Sequence, residues 1–242
     1  MRNIAVILAG GTGTRMGSPV PKQYLPIEGK EVIAYSIEAF DQSESIDEIA
    51  VVVHPEWIGH VKDLVEAGGW KKVRNVISGG SERYLSTLNA VAAYLDCPDD
   101  TNLIFHDAAR PWISQEVISR VIQALERHEA VGVGIPSTDT VWEVRRELNG
   151  DPVSGLTSGF IARIPERKQM WRAQTPQAFR LWVIRDAYQR ALQDPQFTVT
   201  DDCGVVRKYM PEMKIHVVEG EERNRKITFP EDLETNRPGN ME

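Results

Sequence analysis

The sequence predicts an α/β protein in which helices cover both faces of a mainly parallel β-sheet. Two observations support this fold class. Short apolar runs, each of the length of a fully buried strand, recur along the chain, and segments of helical length and period lie between them. Strands that alternate with helices form parallel sheets. The predicted strands are 4–8, 49–53, 73–77, 102–105, 130–135 and 215–218, and the predicted helices are 31–40, 81–95, 115–127 and 181–192.

Four of the predicted strands are followed by segments rich in glycine, charge or hydroxyl groups. Ligands of parallel sheets bind beyond the carboxyl ends of the strands. We therefore expect these four segments to converge on one edge of the sheet. They are the glycine turn after 4–8, residues 79–83 after 73–77, residues 106–111 after 102–105, and residues 136–140 after 130–135.

Composition indicates an ordinary globular protein. The chain has 242 residues, of which 41% are hydrophobic and 26% charged. A formal net charge of -7 argues against a nucleic acid or an anionic membrane as the main partner. The first apolar run is too short for a signal sequence, and no run approaches the length of a membrane span. Cys97 and Cys203 lack the spacing of a disulfide framework or a zinc site, so we expect a cytoplasmic protein.

The turn after the first strand carries the strongest local signal. Residues 8–17 are LAGGTGTRMG, so backbone N–H groups can approach a ligand that side chains would repel. Met16 stands where a dinucleotide-binding turn requires its third glycine, and the Gly-Lys-Ser/Thr of a Walker A loop is missing. With the cations of Arg15 and Lys22, the turn suits a triphosphate. A tight bend with two solvated cations is the structural alternative.

Two carboxylates are candidate Mg²⁺ ligands. Asp107 ends an apolar run and is followed by two alanines, which leave its carboxylate room to reach a crevice. Mg²⁺ takes few ligands from the protein and completes its shell with phosphates and waters, so one or two aspartates would suffice. Asp201 is the second candidate, although an aspartate before a helix is at least as often an N-cap.

Other polar residues are candidate ligand contacts. Gly80, Ser81 and Ser86 can place backbone and hydroxyl groups against the edge of a base, and Ser81 also suits a helix N-cap. Arg167 and Lys226 are candidate phosphate ligands, although isolated cations are usually solvated surface charges. The residue before Asp107, His106, is interpreted as a packing residue and not as a catalytic base.

Residues 141–169 interrupt the alternation of strands and helices. They are polar, alternate in hydrophobicity around Trp142, and contain loop signals at 149–152. We predict a β-hairpin arm outside the main sheet, a shape that commonly mediates dimerisation; a flexible surface excursion is the alternative. We expect one domain over residues 1–235, with the arm inserted, and a disordered tail over residues 236–242.

Five motifs occur in an order and at a spacing that together are specific. They are LAGGTGTRM at 8–16, PKQYL at 21–25, HDAARP at 106–111, WRAQTPQ at 171–177 and PEDL at 230–233. In this combination the chain resembles the CTP-dependent cytidylyltransferases that act on polyol phosphates. The resemblance implies a Rossmann-like nucleotide-diphospho-sugar transferase fold and a homodimer built with the arm. It also implies transfer of CMP from CTP to a phosphate, with release of pyrophosphate.

The resemblance also implies roles for individual residues. Arg15 and Lys22 would stabilise the charge on the α-phosphate of CTP, and Asp107 and Asp201 would position Mg²⁺. Arg167 would reach the partner subunit's site. The residues implied to bind CTP are Leu8, Ala9, Gly10, Gly11, Gly13, Gly80, Ser81 and Ser86. Those implied to bind or activate the acceptor are Thr140, Asp107, Arg110, Arg167 and Lys226.

The acceptor is a matter of resemblance alone. Ala108 and Ala109 before Arg110, together with residues 170–174, look more like the branch that acts on 2-C-methyl-D-erythritol 4-phosphate. Residues 54–57 and the pair Asp202 and Cys203 look more like enzymes that act on D-ribitol 5-phosphate. We favour the first acceptor and keep the second as the alternative. An alternative of another class is a non-catalytic nucleotide-binding protein.

Overall fold

The computed structural model describes residues 1–11, 17–146 and 159–234. The predicted tail, 236–242, lies outside these ranges. In chain order the strands are β1 (Asn3–Ala9), β2 (Pro26–Ile27), β3 (Lys30–Glu31), β4 (Glu48–Val53), β5 (Val73–Ser78), β6 (Asn102–Asp107), β7 (Ala130–Pro136), β8 (Glu143–Arg146), β9 (Gly159–Arg163), β10 (Trp171–Arg180) and β11 (His216–Glu219). The α-helices are α1 (Val32–Asp41), α2 (Ile58–Gly68), α3 (Arg83–Ala92), α4 (Gln115–Leu125), α5 (Leu181–Ala191), α6 (Asp202–Tyr209) and α7 (Glu231–Glu234).

Seven of the described strands form one central sheet in the order β11, β7, β10, β6, β1, β4, β5. β1 runs parallel to its two neighbours, β4 and β6, and β5 and β11 each run parallel to the strand beside them. The exception is β10, which runs antiparallel to both β6 and β7. The sheet is therefore mixed but mostly parallel, which confirms the predicted fold class.

Helices cover both faces of this sheet. Ala5 and Ile7 of β1 pack in one apolar cluster with α1, α2 and α4, whereas Ile4 and Val6 pack in a second cluster with α3, α5 and α6. All four side chains are fully buried. Successive residues of a strand point to opposite faces, so a strand that is covered on both faces must be apolar throughout. This requirement explains the continuous apolar runs in the sequence.

β10 is a central strand that the sequence does not predict, because half of its residues are polar and they interrupt any apolar pattern. Gln177 and Arg180 are nevertheless buried. Gln177 Nε2 donates to Asp201 Oδ2 at 2.8 Å, and Arg180 Nη1 donates to Asn102 Oδ1 at 2.7 Å. These hydrogen bonds satisfy the buried polar groups, so the strand lies inside the sheet without an apolar pattern.

α2 and α6 are likewise absent from the predicted elements. α2 buries only Val61, so its apolar period is weak. It is followed by Gly69, whose φ of 65° is the left-handed conformation that glycine adopts without a steric penalty. α6 begins after Asp201, which caps it. Within the described ranges, helices that combine the length and the apolarity of a membrane span do not occur.

The predicted arm contains a two-stranded antiparallel sheet. β8 pairs with β9 outside the central sheet, with Val144 opposite Ile161 and Arg145 opposite Phe160. This pairing is the one expected of a hairpin; the connecting residues, 147–158, lie outside the described ranges. Several apolar side chains of the arm are exposed, including Trp142 at 57% and Phe160 at 69%.

Candidate active site

Three of the four segments expected to converge do so. Residues 8–11 at the end of β1, 80–83 after β5 and 107–109 at the end of β6 line a cleft of about 220 Å³ at the carboxyl edge of the sheet. Lys22 and Lys226 complete its wall from two further segments. The cleft thus combines a glycine-rich backbone, two carboxylates, Glu82 and Asp107, and several cations.

Glycine is required where the first two segments meet. A Cβ built on Gly10 would lie 2.8 Å from Ser86 Oγ, and a Cβ on Gly80 would overlap the side chain of Leu85. Ser86 is buried, and its Oγ accepts a hydrogen bond from Gly80 N at 3.2 Å. Gly80, Ser81 and Ser86 therefore lie together in the cleft, as the sequence predicts.

A buried amide fixes the end of β1. Gln23 Nε2 donates to Ala9 O at 2.7 Å and to Gly11 O at 2.8 Å, and the side chain is 3% exposed. Gln23 shares a short 3-10 helix with Lys22, whose Nζ donates to Ile227 O at 2.6 Å. Through this helix, the glycine turn and the Lys22 ammonium are held in one arrangement. The predicted roles of Gly13 and Arg15 fall outside the described residues.

Asp107 is the buried carboxylate of the cleft. Lys226 Nζ lies 2.8 Å from Asp107 Oδ2, Arg83 Nε lies 3.6 Å from Oδ1, and Arg110 Nε lies 3.9 Å from Oδ2. Burial raises the pKa of the Asp107 carboxyl, but the charges of Lys226, Arg83 and Arg110 outweigh burial and hold that pKa below its usual value of 3.8. The carboxylate is therefore ionised at neutral pH.

The neighbouring His106 is a buried packing residue, as interpreted from the sequence. Thr175 Oγ1 accepts a hydrogen bond from Asp107 N and lies 3.1 Å from His106 Nδ1. The hydroxyl proton of Thr175 is then directed at Nδ1, which leaves His106 Nε2–H to donate to Arg110 O at 3.0 Å. Burial lowers the pKa of His106 to about 4, so the ring is neutral and both nitrogens are engaged.

Arg110 ties the cleft to the segment that carries Lys226. Its Nη1 donates to Asn224 O at 2.9 Å and its Nη2 to Ala173 O at 3.3 Å. Its side chain is 12% exposed. Arg110 was predicted to bind substrate, and in the structure its guanidinium contacts protein carbonyls.

Two charged residues of the site are missed by the sequence analysis. Arg83 lines the cleft, and its Nη1 lies 2.7 Å from Asp202 Oδ2. Asp202 is fully buried, and its Oδ1 accepts a hydrogen bond, at 2.6 Å, from Tyr188 OH. The sequence contains both residues within prominent segments, at 79–83 and beside Asp201, but their pairing depends on the packing of α3 against α5 and α6.

Asp201 is an N-cap, the alternative kept open above. Its Oδ1 accepts a hydrogen bond from Gly204 N at 2.8 Å, and its Oδ2 accepts the hydrogen bond from Gln177. Asp201 does not line the cleft. Within the described ranges, His, Cys, Asp and Glu residues form no group of three or more that would suit a metal ion. The role of Asp201 as a magnesium ligand stays a prediction.

The fourth predicted segment lies apart from the cleft wall. Thr140 is exposed on the segment after β7, and Arg167 donates through Nη1 to Thr138 O at 3.4 Å. The structure thus brings Arg167 next to the Thr140 segment but does not bring either residue into the cleft of the same chain.

The 2-C-methyl-D-erythritol 4-phosphate cytidylyltransferase (IspD) family model matches residues 3–237. A Thermobifida fusca protein of that name is 42% identical over 96% of this chain and 90% of its own length. The bifunctional ribulose 5-phosphate reductase/CDP-ribitol pyrophosphorylase Bcs1 of Haemophilus influenzae is 39% identical over 96% of this chain and 47% of its own.

The fold is similar to that of solved structures with related names. The structure of 4-diphosphocytidyl-2C-methyl-D-erythritolsynthase from Anaerococcus prevotii covers 96% of this chain and 92% of its own, with a TM-score of 0.79 and 29% identity. A second structure with the name 4-diphosphocytidyl-2C-methyl-D-erythritol synthase gives a TM-score of 0.73 at 29% identity. The chain therefore belongs to the family of 2-C-methyl-D-erythritol 4-phosphate cytidylyltransferases.

Proposed function

We propose that this protein transfers CMP from CTP to 2-C-methyl-D-erythritol 4-phosphate and releases pyrophosphate. The observation that supports this most is the cleft itself, in which a glycine turn, Lys22, Lys226 and Arg83 lie around the buried carboxylate of Asp107. Such a site matches the charge of a triphosphate, and among the described residues its lining contains no His or Cys. The identities of the nucleotide and the acceptor are inferred from family membership.

In the proposed mechanism, the acceptor phosphate attacks the α-phosphorus of CTP in line with the departing pyrophosphate. A phosphate monoester is largely anionic at neutral pH, so it needs no base. The neutral, fully engaged His106 agrees with this. Catalysis then depends on holding two anions together and on neutralising the charge that develops. Lys22 and Arg15 take this role at the α-phosphate.

The backbone of the glycine turn would hold the triphosphate. Leu8, Ala9, Gly10 and Gly11 present main-chain groups to the cleft, and Gly13 is assigned with them. Ser81, with the Gly80 and Ser86 pair, would face the cytosine. Gln23 bonds the carbonyls of Ala9 and Gly11 and so holds the backbone that leads into the turn.

Asp107 fits a magnesium ion, whereas Asp201 fits it less well. Asp107 is anionic and lies in the cleft, and Mg²⁺ takes one or two carboxylates together with phosphate oxygens. Both oxygens of Asp201 already accept hydrogen bonds. Bound Mg²⁺ would neutralise triphosphate charge and orient the phosphates. Asp107 would hold it, while Lys226 would stay beside the same carboxylate.

We further propose that the acceptor phosphate contacts Thr140, Arg167 and Lys226, with Arg110 supporting the Lys226 segment. Thr140 and Arg167 lie outside the cleft of their own chain, so they would act in the partner's cleft of a homodimer. The exposed apolar side chains of the arm support such a dimer, because large apolar patches are typical of interaction surfaces. Two free cysteines, Cys97 and Cys203, agree with a cytoplasmic location.

Pyrophosphate release tests the proposal. The protein is incubated with CTP and Mg²⁺ and, separately, with 2-C-methyl-D-erythritol 4-phosphate or D-ribitol 5-phosphate. We expect release with the first acceptor. The similarity to the Haemophilus influenzae protein makes the second acceptor the alternative function. Release with D-ribitol 5-phosphate alone would replace the proposed acceptor, and CTP binding without release with either would indicate a non-catalytic nucleotide-binding protein.

A further inference from the structure

Asp202 is a fully buried carboxylate with two partners. Its Oδ2 lies 2.7 Å from Arg83 Nη1, and its Oδ1 accepts a hydrogen bond of 2.6 Å from Tyr188 OH. Burying a carboxylate is costly unless it is paired and hydrogen-bonded, and a buried ion pair often adds little net stability. The arrangement therefore points to a role of Asp202 beyond stability.

The ion pair of Asp202 continues into the cleft. Arg83 Nη1 contacts Asp202, Arg83 Nε lies 3.6 Å from Asp107 Oδ1, and Lys226 Nζ contacts the other oxygen of Asp107. Charges of alternating sign thus run from the buried start of α6 to the cleft wall. Two carboxylates on different nitrogens fix the plane of the Arg83 guanidinium, which a single contact would leave free to rotate.

We infer that Asp202 is a positioning residue for the reaction proposed above, because it holds the Arg83 guanidinium in the cleft at Asp107. The inference rests on the proposed function. Arg83 lines the cleft and Asp202 does not, so Asp202 acts through Arg83. An arginine side chain has many rotamers, and loss of Asp202 releases Arg83 to adopt them. Asp107 then loses one of its three cationic neighbours.

Tyr188 provides a matched structural control. It contacts the other oxygen of the same buried carboxylate, and it is not a cleft residue. Tyr188→Phe removes one hydrogen bond from Asp202 but leaves the Arg83 pair. Asp202→Asn keeps an oxygen for Tyr188 but removes the charge that holds Arg83. Both variants lose one interaction of the same buried group, so both should be less stable.

The experiment compares the kinetic constants of the full-length variants with CTP, Mg²⁺ and 2-C-methyl-D-erythritol 4-phosphate. For Asp202→Asn we expect kcat/KM for CTP to fall by on the order of tenfold to a hundredfold, as misplaced site groups do. For Tyr188→Phe we expect a lower Tm with kinetic constants within about twofold of the parent. Equal kinetic effects of the two variants, or an Asp202→Asn protein that loses only Tm, would make Asp202 merely structural.

A double variant shows whether Asp202 acts through Arg83. In an Arg83→Gln background, Asp202→Asn should change kcat/KM by less than about twofold, because the coupled partner is already gone. Independent, multiplying effects would overturn the inference. If Asp202→Asn does not fold, Arg83→Lys is tested in its place. This variant keeps the positive charge, but its single ammonium cannot contact both carboxylates. An Arg83→Lys protein with the kcat/KM of the parent would overturn the inference. A parent protein without turnover would overturn the proposed function and this inference together, whereas an active parent isolates the inference.

Discussion

Lys226 Nζ lies 2.8 Å from Asp107 Oδ2, although the two residues are 119 positions apart in the chain. The contact closes the cleft between the loop after β6 and the segment after β11. Ile227 N donates to Ala109 O at 2.8 Å, so the backbone holds the two segments together independently of the charges. The ion pair therefore sets the charge of the cleft more than it sets the fold.

Asp107→Asn tests this arrangement. The substitution removes the anion that faces Lys226, Arg83 and Arg110, and with it the proposed magnesium ligand. We expect kcat/KM for CTP to fall by on the order of a hundredfold or more, because neutralisation of the triphosphate depends on correctly placed charges. Steady-state pyrophosphate release measures the effect.

Asp63→Asn is the matched control, since Asp63 is exposed on α2. It should leave kcat/KM unchanged. Turnover of Asp107→Asn equal to that of this control would show that the Asp107 carboxylate has no part in the reaction.

Gln23→Leu tests the buried amide that bonds Ala9 and Gly11. Leucine cannot donate to the two carbonyls, so the glycine turn loses the contacts that fix it. We expect KM for CTP to rise by about tenfold, equivalent to about 1.4 kcal/mol of binding free energy. Isothermal titration with CTP measures binding directly.

Gln193→Leu, at an exposed position after α5, is the control for the same chemical change. If CTP binds to Gln23→Leu as tightly as to this control, the turn is held by other contacts and Gln23 is a packing residue.

The sequence predicts those parts of the fold that apolar periodicity encodes. β1 and β4 are covered on both faces, and their continuous apolar runs mark them without ambiguity. β10 is buried through side-chain hydrogen bonds, as for Gln177 and Arg180, and these leave no period in the sequence. Polar strands and weakly apolar helices such as α2 therefore need the folded structure to be identified.

The candidate site likewise contains residues that the sequence predicts and residues that only the folded structure identifies. The sequence predicts Asp107 as a site residue because it ends an apolar strand, and Lys22 because it follows the glycine turn within a motif. The pairing of Arg83 with Asp202, which lies next to Asp107, is not predicted from the sequence. The two residues are 119 positions apart and meet where α3 and α6 pack on one face of the sheet. Sequence motifs predict the groups that meet a ligand, whereas packing decides the groups that position them.

His106 predicts a dependence of stability on pH. Its pKa is about 4 in the folded protein and 6.5 ordinarily, so between these values the unfolded chain binds a proton that the folded chain does not. Stability therefore rises with pH across this window and is fully present above it. From pH 7 to pH 5 we expect this side chain to cost roughly 2 kcal/mol of unfolding free energy. Urea denaturation at both pH values measures it.

His106→Gln is the comparison, because glutamine can form hydrogen bonds but does not titrate. Carboxyl groups affect both proteins alike, so the difference between the two pH dependences belongs to His106. Identical losses of unfolding free energy in the two proteins would contradict the prediction.

Phe160→Asp tests the arm as a dimer interface. Phe160 is 69% exposed on β9, opposite Arg145. A carboxylate there would lose its hydration in an apolar interface, at a cost of several kcal/mol. We expect a dimer for the parent protein and a monomer for the variant by sedimentation velocity.

Leu192→Asp places the same charge at a 56% exposed apolar residue after α5, away from the arm. It should leave the dimer intact. A Phe160→Asp protein that sediments like the parent would remove the arm from the interface.

Mixed dimers test whether Arg167 acts in the partner's cleft. Lys22→Ala and Arg167→Ala proteins should each be nearly inactive. In a mixed dimer, one cleft combines both substitutions and the other combines neither, provided that Arg167 acts across the interface. Random mixing in equal amounts makes half of the dimers mixed, each with one intact cleft, so about a quarter of the parent activity should return.

The matched control mixes Lys22→Ala with Asp107→Asn protomers. These two residues line the same cleft of one chain, so every cleft of a mixed dimer carries one substitution and no activity should return. Recovery in the first mixture but not in the second identifies Arg167 as a residue of the partner's site. If neither mixture recovers activity while mass measurement shows mixed dimers, Arg167 acts within its own chain or not at all. In the second case its hydrogen bond to Thr138 is a surface contact without a role in the reaction.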